Sequence, residues 1–210
     1  VADALSDAGY KVTIFDRTYS SWKRDDQEMV VGNILDIEEI AKTIKDSPKL
    51  KGMGTTLTSL ITTEDKVALI HIGDSRCYQF RAGKLTQLSK DHTLVQELID
   101  QGRLSAEEAS SHPQKSLITK ALMGNVETEP FIQLINVEPN DLFLLCTDGL
   151  SSVINESEIG KILREDGLTE IAVEKLKAAV YKSGAPDNIT LVLAKLTSEE
   201  TNTVGILGAA

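Results

Sequence analysis

Residues 144–150 read Leu-Leu-Cys-Thr-Asp-Gly-Leu, an apolar run that ends in one carboxylate and one glycine. The run predicts a buried β-strand, and the Asp-Gly pair predicts the turn that ends it. Burying the carboxylate of Asp148 is costly unless a cation meets it. Because one carboxylate does not make a metal site, the role of this turn depends on whether the fold brings other carboxylates to it.

Three further acidic turns lie beside predicted strands. They read Gly-Asp-Ser-Arg at residues 73–76, Lys-Asp-His-Thr at 90–93 and Pro-Asp-Asn-Ile-Thr at 186–190. Carboxylates at strand ends can converge at one edge of a sheet, where their oxygens suit hard cations such as Mg²⁺ or Mn²⁺. Taken singly, each turn is better explained by ordinary turn chemistry, and Asp91 by capping of the helix that follows it.

The composition is that of a globular chain with an acidic surface. Of the 210 residues, 41% are hydrophobic and 26% are charged, so the chain can build a sizeable core. The net charge of −10 and the lack of a Lys/Arg-rich run argue against a nucleic-acid partner. A negative surface also repels phosphorylated substrates unless a local cation recruits them.

Cysteine use and hydropathy predict a cytoplasmic protein without a membrane partner. Cys77 and Cys146 lie in strand-like apolar settings, which favours buried, reduced thiols over a disulfide. No apolar segment approaches the roughly 20 residues that span a bilayer. The first residues do not resemble a signal peptide.

The order of the predicted elements indicates an α+β fold with a largely antiparallel sheet. A capping box at Ser105 and Glu108 marks one helix start. Strands are predicted at residues 56–62, 67–72, 76–80, 85–88, 131–137, 142–146 and 189–196, and helices within 93–123 and at 156–165 and 169–182.

Five short motifs in a fixed order resemble the metal-dependent serine/threonine protein phosphatases of the type 2C family. The resemblance runs from about residue 48 to 196, and the segment from His112 to Leu122 fits it too. The motifs are Gly-Met-Gly-Thr-Thr at residues 52–56, Gly-Asp-Ser-Arg at 73–76, Asp-His-Thr at 91–93, Thr-Asp-Gly-Leu at 147–150 and Pro-Asp-Asn-Ile-Thr at 186–190.

This resemblance implies a partial β-sandwich flanked by helices, with a two-metal centre at one edge. It implies that Asp148 and Asp187 are ligands of Mn²⁺ or Mg²⁺ and that Asp91 is a ligand of a third, weaker metal. The implied reaction is attack of a metal-activated water on phosphoserine or phosphothreonine of a phosphorylated protein substrate. No covalent enzyme intermediate is expected.

Three motifs of that family do not occur in these 210 residues. They are an arginine-containing first strand, an Asn-Glu-Asp motif and an Asp-Gly-x-Gly-Gly turn, which supply the phosphate-binding arginine, a water-mediated ligand and the carboxylate that bridges the two metals. The later Asp-Gly pair at residues 166–167 lacks the trailing glycines. Without the bridging carboxylate, we expect weak metal binding and impaired hydrolysis.

Residues 1–45 resemble the start of an NAD-dependent sugar-nucleotide epimerase. The resemblance lies in Val-Ala-Asp-Ala-Leu at the start, Thr-Ile-Phe-Asp-Arg at residues 13–17 and Gly-Asn-Ile-Leu-Asp at 32–36. It implies that Asp16 binds the adenosine ribose and that Asn33 contacts adenine, with NAD as cofactor. A βαβ unit of another kind whose strand ends in Asp stays the alternative interpretation.

The C-terminal residues extend the same resemblance. Residues 203–210 resemble the first strand of that family and the opening of its glycine loop, in which Gly208 would face pyrophosphate. The predicted organisation is therefore a Rossmann-like fragment at residues 1–45, a phosphatase-like core at 46–197 and a linker with a strand and loop fragment at 198–210. Three functions stay open: a phosphatase, an epimerase-derived nucleotide-binding module and a non-catalytic chimeric fold.

Overall fold

The computed structural model describes residues 13–16, 28–31, 54–62, 66–123 and 128–195. The chain divides into two compact units, residues 1–55 with 122–128 and residues 56–121 with 129–210. The strands are β1 (Thr13–Asp16), β2 (Glu28–Val31), β3 (Gly54–Thr55), β4 (Leu57–Thr62), β5 (Lys66–Ile72), β6 (Arg76–Arg81), β7 (Lys84–Gln87), β8 (Leu122–Met123), β9 (Phe131–Asn136), β10 (Leu142–Cys146) and β11 (Leu191–Lys195). The helices are α1 (Leu94–Asp100), α2 (Ala106–Ser110), α3 (Asp148–Ser151), α4 (Glu156–Asp166) and α5 (Glu170–Lys182).

The first unit contains two small strand pairs. Strands β1 and β2 pair in parallel, with Thr13 opposite Glu28 and Asp16 opposite Val31. Strands β3 and β8 pair antiparallel. Two strands of residues 1–45 are therefore present as a parallel pair, whereas Asn33 and Gly208 lie outside the described residues.

The second unit is a β-sandwich of two antiparallel sheets. One sheet has the order β11-β10-β6-β7, and the other has the order β4-β5-β9. The inner faces meet through a cluster of buried side chains, which comprises Val67, Leu69, Cys77, Ile135 and Phe143. This arrangement confirms the predicted sandwich with helices and an antiparallel sheet.

The larger sheet is buried on both faces because successive side chains of a strand point to opposite sides. On β6, Cys77 faces the sandwich interior while Tyr78 faces the helices, and on β10 Phe143 and Leu144 divide in the same way. Helices α3, α4 and α5 cover the outer face, with Leu150, Ile159 and Leu176 almost inaccessible to solvent among others. Burial of β10 on both faces, in the sandwich interior and under the helices, explains why it is apolar at every position.

Helices α4 and α5 begin and end within one residue of the predicted limits, whereas α3 forms where the sequence predicts only a turn. Asn155 and Thr169 accept hydrogen bonds from backbone N–H groups in the first turns of α4 and α5. Helix α4 ends at Asp166, and Gly167 follows it with a φ of 61°. Such a residue commonly ends a helix because glycine adopts positive φ without strain.

The predicted helical region at residues 93–123 is only partly helical. Helix α1 spans seven residues and α2 spans five, and the capping box at Ser105 and Glu108 is present. Residues 111–121 instead form turns and a single bridge between Thr93 and Ile118. The His-Pro-Gln sequence interrupts the helix because proline lacks the N–H that a helix interior needs.

Both cysteines are free and buried, which confirms the predicted reduced thiols. Burial and the proximity of the two thiols to each other raise the pKa of Cys77 to about 12. Among the described helices, none has the length and apolar character to cross a membrane.

An ion pair joins Arg81, the last residue of β6, to Asp141, which directly precedes β10. Arg81 donates from Nε to Oδ1 of Asp141 at 2.7 Å, and its Nη2 contacts Oδ2 at 2.5 Å. Gln79 and the backbone N–H of Glu138 also donate to this carboxylate, which is 1% exposed. Burial favours the neutral acid, but the Arg81 guanidinium and these hydrogen bonds outweigh burial and hold the pKa of Asp141 below its usual range.

We expect Asp141→Asn to lower the stability of the folded chain by about 1–2 kcal/mol at pH 7, because Arg81 loses its charged partner but still reaches solvent. A carboxyl whose pKa is depressed by folding stabilises the fold above its unfolded pKa of about 3.9, and this contribution is lost as pH falls through the folded value. The deficit of the variant in urea unfolding should therefore shrink below about pH 4.

The matched control is Asp100→Asn, which removes a carboxylate from an exposed pair with Lys90. This control should stay within about 0.5 kcal/mol of wild type. Equal losses for the two variants, or a pH-independent deficit for Asp141→Asn, would contradict a stabilising role of the buried carboxylate.

Candidate functional site

Four acidic turns meet at one edge of the larger sheet. Strand β10 ends there at Cys146, and its antiparallel neighbours begin there, with Cys146 opposite both Arg76 and Leu191. Strand β7 ends at the same edge because Gln87 pairs with Tyr78. The turns before β6, after β7, after β10 and before β11 therefore emerge side by side.

The turn after β10 is tied directly to the turn before β11. The N–H of Thr147 donates to the carbonyl of Thr190 at 3.0 Å, and the N–H of Thr190 donates to Thr147 Oγ1 at 3.0 Å. Thr147 Oγ1 also donates to the carbonyl of Asn188 at 3.3 Å. These bonds hold Asp148 and Asp187 on adjoining turns.

Gly149 permits this close approach. A Cβ atom at position 149 would lie 2.0 Å from the carbonyl oxygen of Asn188, a distance that real Cβ atoms do not adopt. The glycine after Asp148 therefore serves packing, since it lets the turn at residues 186–190 lie against the start of α3.

The carboxylates at this edge repel one another. Burial, and then the negative charge of Asp187, raise the pKa of Asp148. Burial and the charge of Asp148 likewise raise the pKa of Asp74. Within the described part of the chain, neither Asp148 nor Asp187 forms an ion pair with a basic side chain.

These features fit a hard divalent cation only in part. Two adjoining carboxylates that lack a cationic partner have the oxygen donors that Mg²⁺ and Mn²⁺ prefer. However, among the residues that the structure describes, no group of three or more histidine, cysteine or acidic side chains is placed to hold a metal ion. The pair can supply some ligands of one cation but not a complete set.

Asp91 lies at the same edge but has a partner already. Its carboxylate accepts hydrogen bonds from Nε and Nη2 of Arg76 at 2.7–3.0 Å and from Gln87 at 3.1 Å. It does not cap α1, because Thr93 occupies the N-cap position and its side chain accepts from Gln96. The ligand role of Asp91 stays a prediction, and the structure gives this carboxylate a different contact.

Two stacked histidines support the turns. The sequence indicates His92 only as part of the Asp-His-Thr motif and does not single out His71. The rings of His71 and His92 lie 5.0 Å apart between centroids. His92 Nδ1 accepts from the N–H of Gly73 at 3.0 Å, while His71 Nε2 donates to the carbonyl of Lys90 at 3.0 Å. Burial and the neighbouring His92 lower the pKa of His71 to about 4, so its ring is neutral at pH 7. A histidine at an inward position of β5, two residues before Gly73, was the available signal.

The turn edge borders a cavity of about 390 Å³. Asp74, Asp91 and Asp148 line it together with Arg76, and α1 and α2 form another part of its wall. Lys115 also lines the cavity and is exposed. The cavity therefore combines the Arg76–Asp91 ion pair, the carboxylates of Asp74 and Asp148 and the exposed cation of Lys115.

The remaining predicted site residues belong to the first unit or lie outside the described residues. Asp16 is the last residue of β1 in the first unit, and the ribose-binding prediction requires it to stand at the end of a strand. Asn33 and Gly208 lie outside the described residues. Their nucleotide-binding roles stay predictions.

Comparison with known proteins identifies similar sequences and structures. The family model for protein phosphatase 2C matches residues 4–186. The chain is 44% identical over 155 residues to the serine/threonine protein phosphatase PstP of Mycobacterium tuberculosis, which covers 74% of this chain and 30% of that protein. It is 38% identical over 150 residues to the protein phosphatase PhpP of Streptococcus pneumoniae, which covers 71% of this chain and 61% of that protein.

A solved structure agrees with these matches. The catalytic domain of PstP in complex with two manganese ions has a TM-score of 0.67 and 39% identity, over 76% of this chain and 66% of that one. The chain thus spans less than two-thirds of the length of both curated relatives.

We expect Gly149→Ala to displace the turn at residues 186–190 and to destabilise the chain by about 2 kcal/mol, since a Cβ cannot fit against the carbonyl of Asn188. The melting temperature should fall by about 4–8 °C. Any rise in melting temperature that Mn²⁺ gives the wild type should be largely lost, because Asp187 moves away from Asp148.

Gly160→Ala is the matched control, because it too lies in a helix but its Cβ would meet Leu85 at an ordinary 3.5 Å. This control should be neutral or gain about 0.5 kcal/mol. If Gly149→Ala melts like the control and keeps the Mn²⁺ effect, the close approach does not set the geometry of the edge.

Proposed function

The chain belongs to the protein phosphatase 2C family, and we propose that it hydrolyses phosphoserine and phosphothreonine in proteins with the help of a divalent cation. The observation that carries this proposal is the pair of adjoining carboxylates, Asp148 and Asp187, which lack a basic partner within the described residues. Manganese in the structure of a relative supports Mn²⁺ as the cation to test first.

In this proposal, each side chain at the edge has a distinct part. Asp148 and Asp187 supply carboxylate oxygens to the cation, and a cation bound there would lower the pKa of a coordinated water and so make it a nucleophile at neutral pH. Lys115, exposed beside the cavity, offers a positive charge to a phosphate group. This local charge opposes the repulsion that the net charge of −10 exerts on phosphorylated substrates.

We further propose that hydrolysis by these 210 residues is slow. The motifs that would supply the bridging carboxylate, the water-mediated ligand and the phosphate-binding arginine do not occur in this sequence. Two carboxylates alone hold a divalent cation weakly, because coordination of such ions normally takes six or more oxygens. Weak occupancy lowers the rate at any given Mn²⁺ concentration.

Phosphate release from a phosphothreonine peptide tests this function. We expect a slow release that requires Mn²⁺ and that falls at least about tenfold in Asp148→Asn, which keeps the shape of the side chain but loses its charge. Asp166→Asn is the control, because Asp166 pairs with Lys175 at the end of α4 and does not line the cavity.

The outcomes separate clearly. Release that depends on Mn²⁺ and on Asp148 but not on Asp166 supports the proposal. Release that is equal in all three proteins would point to a contaminating enzyme, and the absence of Mn²⁺-dependent release would contradict phosphatase activity of this chain.

The alternative is that residues 1–45 bind a nucleotide such as NAD, as an epimerase-derived module. One observation favours it, the parallel pairing of β1 with β2, with Asp16 at the end of β1. The family match covers residues 4–186 and so includes most of this segment, and the comparisons give the epimerase resemblance no support. The predicted domain limits at residues 45 and 197 and the cytoplasmic location also stay proposals.

Calorimetric titration with NAD tests the alternative. Binding that is weakened at least about tenfold by Asp16→Ala would favour a nucleotide-binding module, because a ribose contact of this kind is worth about 1–3 kcal/mol. If the chain shows neither NAD binding nor Mn²⁺-dependent hydrolysis, the non-catalytic chimeric fold is the hypothesis that stands.

A further inference from the structure

Arg76 lies within the acidic edge and contacts the carboxylate of Asp91. Its Nε lies 3.0 Å from both oxygens of Asp91, and its Nη2 lies 2.7 Å from Oδ2. A planar guanidinium that meets a carboxylate in this way forms one of the stronger charge-assisted contacts in proteins.

Both partners are anchored to the sheet by further hydrogen bonds. Arg76 Nη1 donates to the hydroxyl of Tyr78 at 3.1 Å, and Tyr78 is fully buried under the helices. Gln87 Nε2 donates to Asp91 at 3.1 Å and to the carbonyl of Ser89 at 2.8 Å. The side chains of Arg76 and Asp91 are 28% and 12% exposed, so solvent screens their attraction only in part.

The same guanidinium lies in the cavity that Asp74 and Asp148 also line. A divalent cation that approached Asp91 would have to replace three hydrogen bonds from Arg76. It would also lie beside a fixed positive charge, which repels it strongly where screening is incomplete. Asp148 and Asp187 do not impose the first cost, since no basic side chain of the described residues forms an ion pair with them. The charge of Arg76 also acts on Asp148, where it opposes the effects of burial and of Asp187 on the pKa of that carboxyl.

We propose that Arg76 is a built-in counter-cation that occupies Asp91 and thereby confines divalent cations in this chain to the Asp148–Asp187 pair. The proposal rests on the proposed function only in taking this edge as the place where a cation binds. Arg76 acts here as a positioning residue, because it contacts Asp91 rather than the cation. Its role is measured by the number of ions bound and not by hydrolysis.

The first test counts bound Mn²⁺ by the electron paramagnetic resonance signal of the free aqueous ion. We expect Arg76→Gln to bind one more Mn²⁺ per chain than wild type, with a dissociation constant on the order of 1 mM, as for sites with few ligands. The additional ion should disappear in the double variant Arg76→Gln, Asp91→Asn. Arg81→Gln is the matched control, because it breaks another Arg–Asp pair of β6 at the opposite end of the strand and should keep the wild-type count.

An unchanged Mn²⁺ count in folded Arg76→Gln would overturn the proposal, and so would the same gain in Arg81→Gln. Circular dichroism establishes that each variant is folded. If Arg76→Gln does not fold, the second test decides the question with the wild-type chain.

The second test follows the Nε–H signal of Arg76 in ¹⁵N–¹H spectra during titration with diamagnetic Mg²⁺. Its absence from the spectrum of Arg76→Lys assigns the signal. We expect this signal to keep its position to within about 0.1 ppm in ¹H up to saturation, because the hydrogen bonds to Asp91 persist. A large shift, or loss of the signal by exchange with water, would mean that Asp91 leaves Arg76 for the ion and would overturn the proposal.

Both tests are independent of the proposed phosphatase activity. A chain that releases no phosphate but gains an ion in Arg76→Gln contradicts the proposed function and supports the counter-cation. A chain that hydrolyses the phosphothreonine peptide but keeps its ion count in Arg76→Gln gives the opposite result.

Discussion

The antiparallel pairing of β10 with both β6 and β11 is the constraint on which the rest of the structure depends. In three antiparallel strands, both neighbours begin where the central strand ends. The end of β10 and the starts of β6 and β11 therefore share one edge of the sheet. The acidic turns are adjacent because this topology leaves them no other place. The apolar content of β10 stabilises the arrangement, since its two faces are buried against different layers.

Carboxylates at the two ends of strands β6 and β10 have opposite electrostatic surroundings. At one end, Asp141 is almost inaccessible to solvent and its charge is fully compensated by Arg81, Gln79 and a backbone N–H. At the other end, Asp74 and Asp148 are partly buried, and burial together with the charge of a neighbouring carboxylate raises the pKa of each, Asp148 acting on Asp74 and Asp187 on Asp148. A structural carboxylate is expected to resemble the first case, whereas an uncompensated pair costs stability and indicates a functional site.

The sequence predicts the layers of the fold well and the contacts of the edge only in part. Strand periodicity, capping residues and turn glycines are local signals, so β4–β7, β9–β11, α4 and α5 follow from them. Convergence of the acidic turns follows from strand order. The Arg76–Asp91 pair, the stacked histidines and the contact of Gly149 with Asn188 do not, because each depends on side chains that are distant in sequence and compete in space. The helical prediction at residues 93–123 is wrong for residues 111–121, because polar composition and one capping box are also compatible with turns.

Compensation of charge also ranks the three carboxylates that the resemblance assigns to metals. Asp91 gains little from an added cation, since Arg76 and Gln87 already satisfy its oxygens. Asp148 gains most, because burial and Asp187 both disfavour its charged form in the absence of a cation. Asp187 is exposed, and its Oδ1 accepts from the N–H of Asn188 at 2.7 Å, so water can compensate its charge in part. Compensation of charge is therefore less complete at Asp148 than at Asp91, and the bonds between Thr147 and Thr190 hold Asp187 beside Asp148.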